Sequence, residues 1–260
     1  MDKIGAVGIM DSGIGGLSVL SECLKRFPNE NFVYIGDGKN CPYGNRDKDE
    51  IYSLSAKMLD FLKSKRVKCA LVACNTVSAL GDGLWKGFDF PIIDIVSGCA
   101  KAVANKGLAA VGLIATPFTV RTGVYTELIK KDLPDCRVVS VASDDLAGLV
   151  ETFGRKSPKI TAEIIRCVDK ILAEYAVKDI ILGCTHYSIA TETFKKRYPE
   201  INFIDPAVFQ CDRLEKLLGL NSAKSGGRLE VYSTGGIGGS LLLMESLGIK
   251  SPAVAATVKL

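Results

Sequence analysis

Short apolar runs alternate along this chain with stretches whose apolar residues recur at helical spacing. Ile4–Met10, Asn31–Ile35, Cys69–Ala73 and Pro91–Val96 are short enough and apolar enough to be buried strands. Between them, a helix is predicted from Asp11-Ser12-Gly13 to about Arg26. A second follows Asp47, whose side chain suits a helix N-terminus and which precedes Ile51, Leu54, Met58, Phe61 and Leu62 at helical intervals. The loop Gly36–Asn45, containing Cys41-Pro42-Tyr43-Gly44, fits neither period. Strands that alternate with helices point to an α/β protein with parallel sheets.

The pattern then starts again. Ala6–Ser12 (AVGIMDS) resembles Ala110–Thr116 (AVGLIAT), and Asn31–Asp37 roughly matches Cys136–Ala142. Cys69–Ser78 (CALVACNTVS) matches the stretch around Ile180–Ser188 (IILGCTHYS), which sets Cys74 against Cys184, Asn75 against Thr185, Thr76 against His186 and Ser78 against Ser188. Pro91–Val96 resembles Asn202–Ala207 and sets Asp94 against Asp205. Four matches in one order, at offsets of about 104 to 111, predict two similar α/β halves. A helical pattern at Ile160, Ile164, Val168, Ile171, Leu172 and Tyr175 fits a crossover helix of the second half. The tail from Ala207 has no counterpart. It reads as a helix over Cys211–Leu218, a polar surface loop at Ser222–Gly227, a strand over Leu229–Tyr232, a Gly-rich turn and a last helix. The expected fold is two parallel-sheet α/β domains related by a pseudo-two-fold axis, with a site in the cleft between them. Residues 1–97 with 208–260 form one domain, the tail packed back on it, and residues 98–207 form the other.

Composition narrows the function. The net charge of +4 over 260 residues is small, and no basic run suggests nucleic acid or a membrane surface. No apolar run approaches the length of a membrane span. Nine cysteines, an odd number without a Cys-x-x-Cys pair, and no secretory pattern lead to the expectation of free thiols in the cytoplasm. A single histidine leaves little for a zinc site of the usual clustered kind, so no metal is expected.

The repeat gives the cysteines their interest. One Cys-x-His after a strand reads equally well as a small buried thiol beside a histidine that satisfies a hydrogen bond. Two cysteines at equivalent strand ends, one per half, would face each other across the cleft, where open α/β sheets bind ligands. A thiolate on one face of a carbon can take a proton while a thiol on the other face returns one, inverting a stereocentre in either direction. Cysteine suits the task because its ordinary pKa of about 8.5 is near neutrality. Asp11 could orient or deprotonate Cys74, and His186 could do the same for Cys184. Ser12, Asn75, Thr76, Thr116, Thr119 and Thr185, with the backbone N–H groups at Tyr43-Gly44, could hold carboxylates, although helix capping is the ordinary use of such Ser and Thr residues. Asp11–Gly16 (DSGIGG) is not a dinucleotide fingerprint, because Ser18 stands where the last glycine would be. Gly235–Gly239 fails likewise at Leu241. No residue identifies a pyridoxal-phosphate lysine, so cofactor-free chemistry is expected.

These blocks resemble the glutamate racemases of the cofactor-independent aspartate/glutamate racemase superfamily. The resemblance rests on Ile9–Leu20, Gly36-Asp37 with Pro42-Tyr43-Gly44, Ala73–Ala79, Ala115–Tyr125, Leu149-Val150-Glu151, Leu182–Tyr187 and Asp205-Pro206-Ala207. It implies interconversion of L- and D-glutamate by two bases without cofactor, D-glutamate for peptidoglycan, and a homodimer. Cys74 and Cys184 match the two catalytic cysteines, Asp11 and His186 the assisting groups, and Glu151 a carboxylate near the second cysteine. Asp11-Ser12, Tyr43-Gly44, Asn75-Thr76 and Thr185-His186 match the substrate-binding pairs, with Thr116 and Thr119 bordering the site. The chain departs from the family pattern at Ser143–Gly148, Arg121, Gly38, Cys41 and Gly236. An aspartate or broader amino-acid racemase, or a non-catalytic amino-acid-binding regulator, are the competing expectations.

Overall fold

The structure, a computed structural model, describes residues 5–81, 83–219 and 227–260. The first half runs β1 (Val7–Asp11), α1 (Leu17–Arg26), β2 (Phe32–Gly36), α2 (Lys48–Ser64), β3 (Cys69–Val72), α3 (Asn75–Ser78), β4 (Ile92–Asp94) and α4 (Ile95–Asn105). The second runs β5 (Ala110–Ala115), α5 (Pro117–Thr122), α6 (Val124–Asp132), β6 (Arg137–Ala142), α7 (Leu146–Phe153), α8 (Pro158–Glu174), β7 (Asp179–Gly183), α9 (Thr185–Ile189), α10 (Thr191–Arg197), β8 (Asn202–Ile204) and α11 (Pro206–Leu218). The chain closes with β9 (Leu229–Ser233), α12 (Gly238–Ser246) and β10 (Val254–Thr257). Among the described residues, no helix is long and apolar enough to cross a membrane.

Two parallel sheets form, in the orders β10-β9-β2-β1-β3-β4 and β6-β5-β7-β8. The strand order β2-β1-β3-β4 recurs as β6-β5-β7-β8, so the internal repeat is a repeat of topology. Its register holds between the central strands. Met10 lies opposite Val72, and the equivalent Ile114 opposite Leu182. The second match needs a correction of one residue. Gly36 pairs with Asp11 and Ala142 with Ala115, so Gly36 corresponds to Ala142 rather than to Val141. Side chains alternate with period two, so only the ladder could set this register. β1, β2 and β3 are buried along their whole length, as expected of parallel strands covered on both faces.

The fourth expected strand also needs correction. It stops at Asp94, and Ile95-Val96 begin α4. The Asp94 side chain accepts from the Ser97 N–H at 2.7 Å, which ends the strand by capping the helix. Asp205, its counterpart, caps α11 by accepting from the Ala207 N–H. The expected tail helix at Cys211–Leu218 is the second part of α11, which starts at Pro206. The expected tail strand becomes β9, paired with β2, and β10 adds an edge strand not foreseen because Val254–Thr257 lacks a strongly apolar run. The expected loop at Ser222–Gly227 lies outside the described residues apart from Gly227.

One apolar core joins the two sheets. It runs from Ile9 and Leu71 through Cys99 and Val103 of α4 to Leu113 and Tyr125. α11 crosses back onto the first half. There the buried Gln210 amide donates to the carbonyls of Val72 (3.0 Å) and Ile93 (2.8 Å), beneath the end of β3. Arg213 holds Asp94 at 2.9 Å, and Arg26 of α1 holds Asp212 and Glu215. Burial raises the Asp94 pKa, but the Ser97 and Arg213 bonds outweigh it and hold the carboxyl below its ordinary 3.8.

Asp94→Ala removes the α4 cap and the anchor of Arg213 together. It is expected to cost about 1–2 kcal/mol of stability at neutral pH, read from urea unfolding. A depressed carboxyl stabilises the fold above its unfolded pKa and loses that effect as pH falls through the folded value. The difference from the native protein should therefore shrink below about pH 4.

Candidate active site

β1, β3, β5 and β7 are the central strands, and their carboxyl ends point into one buried region between the sheets. Cys74 follows β3 and stands at the N-cap of α3, while Cys184 follows β7 at the N-cap of α9. Only 5% of Cys74 and 7% of Cys184 is exposed, and Asp11, Ser12, Asn75, Thr76, Thr116, Thr119, Thr185 and His186 are buried around them. The equivalent strand ends of the repeat therefore deliver both thiols and their polar neighbours to one place.

Each cysteine has its own partner. The Ser12 hydroxyl lies 3.3 Å from Cys74 Sγ. His186 Nδ1 lies 3.8 Å from Cys184 Sγ, and its Nε2 is hydrogen-bonded to a Glu151 oxygen. Asp11 stands apart from both thiols in its hydrogen bonding: Oδ1 accepts from the Gly13 N–H at 3.0 Å and Oδ2 from the Thr185 hydroxyl at 3.1 Å. Its link to Cys74 is electrostatic. The Asp11–Thr185 bond spans the interface between the halves, as does the 2.9 Å contact between the Thr76 and Thr116 hydroxyls. Thr116 also lies 3.0 Å from the Thr119 hydroxyl, and the Phe118 N–H donates to the Gly44 carbonyl. The Tyr43 ring is buried, and its hydroxyl donates to Asp37 Oδ2 at 2.5 Å.

Asn75 presents an unused donor. Its Oδ1 accepts from the Tyr125 hydroxyl at 2.7 Å, while its buried Nδ2 has no partner among the described residues. A buried NH2 without an acceptor costs about 1–3 kcal/mol. A carboxylate bound beside Cys74 would remove that cost.

Burial sets the acid–base character. Removal from water raises Cys74 to about 12, and the nearby Asp11 charge adds to this. The Ser12 hydroxyl and the Val77 N–H act in opposition. Asp11 is raised from 3.8 to about 6 by burial, moderated first by His186. Burial pushes His186 down, but bonds to Cys184, Cys41 and Glu151 outweigh it and hold the imidazole well above its ordinary pKa. Glu151 is pushed up by burial and pulled lower by its bond to His186, with the net shift downward. Its outer side faces a cavity of about 510 Å³ lined by Ile14, Phe153, Arg155 and Leu242. Glu151 therefore connects the buried imidazole to solvent.

Asp11–Gly16 has a structural explanation. A Cβ on Gly15 would lie 2.4 Å from Thr185 Oγ1 and 2.6 Å from His186 Nδ1. A Cβ on Gly13 would lie 2.6 Å from Cys41 Sγ and 3.2 Å from a Glu151 oxygen. The glycines let the Cys-Thr-His turn of one half press onto the backbone of the other.

Cys41 is the residue that sequence reasoning did not place in the site. Its sulfur, a Glu151 oxygen and a ring nitrogen of His186 all lie within 4.8 Å of one another. These three residues could hold a metal ion. Spacing along the chain carries no trace of the cluster, because its members come from three distant segments. The only local signal is the position of Cys41 beside Pro42-Tyr43-Gly44.

Residues 7–213 match the family model described as Asp/Glu/Hydantoin racemase. A glutamate racemase from Carboxydothermus hydrogenoformans is 35% identical over 240 residues, covering 90% of this chain and 89% of that protein. One from a Nostoc species is 34% identical over 221 residues, covering 83% and 75%. Among solved structures, a glutamate racemase isoform from Bacillus anthracis superposes with a TM-score of 0.90 at 29% identity, over 99% of this chain and 98% of that one. The Francisella tularensis glutamate racemase, solved in complex with D-glutamate, gives 0.88 at 27% identity with the same coverage.

Asp11→Asn tests the burial of this site. A buried acid raised from 3.8 to about 6 favours the fold while protonated and loses that contribution as pH rises through the folded value. The substitution should raise stability at pH 7–8 by about 1–3 kcal/mol in urea unfolding and flatten the pH dependence between about 4 and 6.

Proposed function

The chain belongs to the Asp/Glu/hydantoin racemase family, and on that premise we propose that it is a glutamate racemase working by two-cysteine proton transfer. The observation that carries the mechanism is the pair of buried thiols at equivalent strand ends, Cys74 in one half and Cys184 in the other. Glutamate as the substrate is supported by the relatives named above and by the Asn75 donor, unpaired among the described residues, which suits a carboxylate.

One thiolate takes the proton from Cα on its face, breaking the Cα–H bond and forming S–H. The opposite thiol gives its proton to the other face of the resulting planar carbanion. The product leaves with inverted configuration, and the two sulfurs have exchanged roles. Burial favours this step because an anion on carbon gains more from fixed hydrogen-bond donors in a dry site than in water. Ser12 accompanies Cys74, and the His186–Glu151 pair accompanies Cys184 and exchanges its proton with solvent through Glu151. Asp11 acts on Cys74 through its charge and holds the site together through Thr185. Asn75, Thr76, Thr185, Thr116 and Thr119, with the Tyr43-Gly44 segment, position the carboxylates and the ammonium group. Because the assistants differ, the two directions need not be equally fast.

The same reading includes the division into residues 1–97 with 208–260 and residues 98–207, one cysteine in each. The near-complete burial of both thiols requires these parts to separate for substrate to enter. The enzyme acts as a cytoplasmic homodimer that supplies D-glutamate for peptidoglycan. All nine cysteines stand as free thiols, in keeping with a reducing compartment.

The test is incubation with L- and then D-glutamate in D2O, following circular dichroism and Cα deuterium by NMR. Inversion with deuterium at Cα is expected from both enantiomers. Cys74→Ala and Cys184→Ala should each lower racemisation by at least about 10³-fold, within the range for loss of a general acid or base. Full two-way racemisation by either variant would overturn the mechanism. Exchange with aspartate but not glutamate would overturn the substrate.

A further inference from the structure

We propose that Cys41, Glu151 and His186 form a binding site for a thiophilic divalent cation, represented by Zn2+, and that its occupation arrests racemisation. The site shares His186 and Glu151 with the proposed reaction and adds Cys41, to which that reaction gives no role. The donor set of thiol sulfur, imidazole nitrogen and carboxylate oxygen is the one that zinc prefers. All three donor atoms already lie within 4.8 Å of one another. In a tetrahedral zinc site the separations are about 3.3–3.6 Å, so Cys41 closes in while the hydrogen-bonded His186–Glu151 pair opens, each by about 1 Å rather than by a change of fold.

The surroundings prepare this geometry. His186 reaches Glu151 with Nε2 and faces Cys184 with Nδ1, so its ring plane is set from both sides. Gly13 has no side chain to separate Cys41 from Glu151. Cys41 and Glu151 are only partly buried, and Glu151 borders the cavity beside Phe153 and Leu242, which gives an ion an entry path. Three protein donors leave a fourth position for water.

Binding is balanced by two protons: the Cys41 S–H bond and one N–H bond of the His186 imidazolium are lost, a sulfur–metal and a nitrogen–metal bond form, and both protons pass to solvent. The His186 lone pair is then committed to the metal. An imidazole so held no longer passes a proton between its two nitrogens, and Glu151 is withdrawn from it. This arrest rests on the role given to His186 in the proposed reaction, whereas metal binding itself does not.

The experiment uses the full chain, reduced and then freed of reductant, with free Zn2+ set by a metal buffer. The native protein is expected to lose at least about tenfold of its racemisation rate, with recovery on adding EDTA, and Co2+ is expected to produce a thiolate-to-cobalt charge-transfer band. Cys41→Ala and Cys41→Ser should racemise without added metal, which also reports that they fold. Both should lose the cobalt band and need at least about 10-fold more Zn2+ for half inhibition, since even an outer-shell partner is worth about 10- to 100-fold in affinity. Cys74→Ala should keep the band. Inhibition of equal potency in both Cys41 variants, inhibition that EDTA does not reverse, or absence of the band in the native protein would each overturn the site. If the chain fails to racemise glutamate, the function reading falls, and the cobalt band still decides whether the metal site exists.

Discussion

The exclusion of water from the space between two facing sheets is the constraint on which the rest of this structure depends. It raises Asp11 and Cys74 far above their solution values, and it makes each hydrogen bond in the site matter because an unmade one has no water to replace it. Almost every polar atom there has a protein partner. Among the described residues the amide nitrogen of Asn75, next to Cys74 in the chain, has none. The packing that excludes water also accounts for the glycines: Gly15 lies where Thr185 and His186 of the opposite half come closest, and Gly13 lies against Cys41 of its own half and Glu151 of the other.

Duplication supplies the frame, and divergence within it supplies the chemistry. The same strand order and central register bring Cys74 and Cys184 to matching ends. The residues beside them have separated in role. Ser12 contacts Cys74 within its own half, whereas Thr116, its counterpart, reaches across the interface to Thr76. Thr76 is a neutral hydroxyl, whereas its counterpart His186 is an imidazole backed by a carboxylate. The two strand ends thus share a frame and differ in the chemistry of their side chains.

The halves are held by more than the site. α11 follows the last strand of the second sheet yet anchors on the first through Gln210 and Arg213, while α4 begins at the end of the first sheet and packs against α6 of the second. These crossed helices are the elements that must flex if the site opens. Their contacts combine apolar core with paired charges near the rim, such as Arg26 with Asp212 and Glu215. Pairs of that kind are weak in water and can break and re-form at small cost.

The sequence by itself determined the alternation of strand and helix, the repeat of the pattern, the two cysteines at matching positions and the helix cap at Asp47. These are written in local periodicity and in short-range turn chemistry, which a single chain carries openly. The tertiary structure decided which side chains meet. Asp11, expected to orient or deprotonate Cys74, makes its long-range side-chain hydrogen bond to Thr185, 174 residues away. Cys41 joins His186 and Glu151 although nothing in its spacing points there. The one-residue register of β6 and the edge strand β10 were decided in the same way. Such pairings depend on how two independently patterned halves approach each other. That approach is set by the summed packing of a shared core, a property that no local stretch of sequence contains.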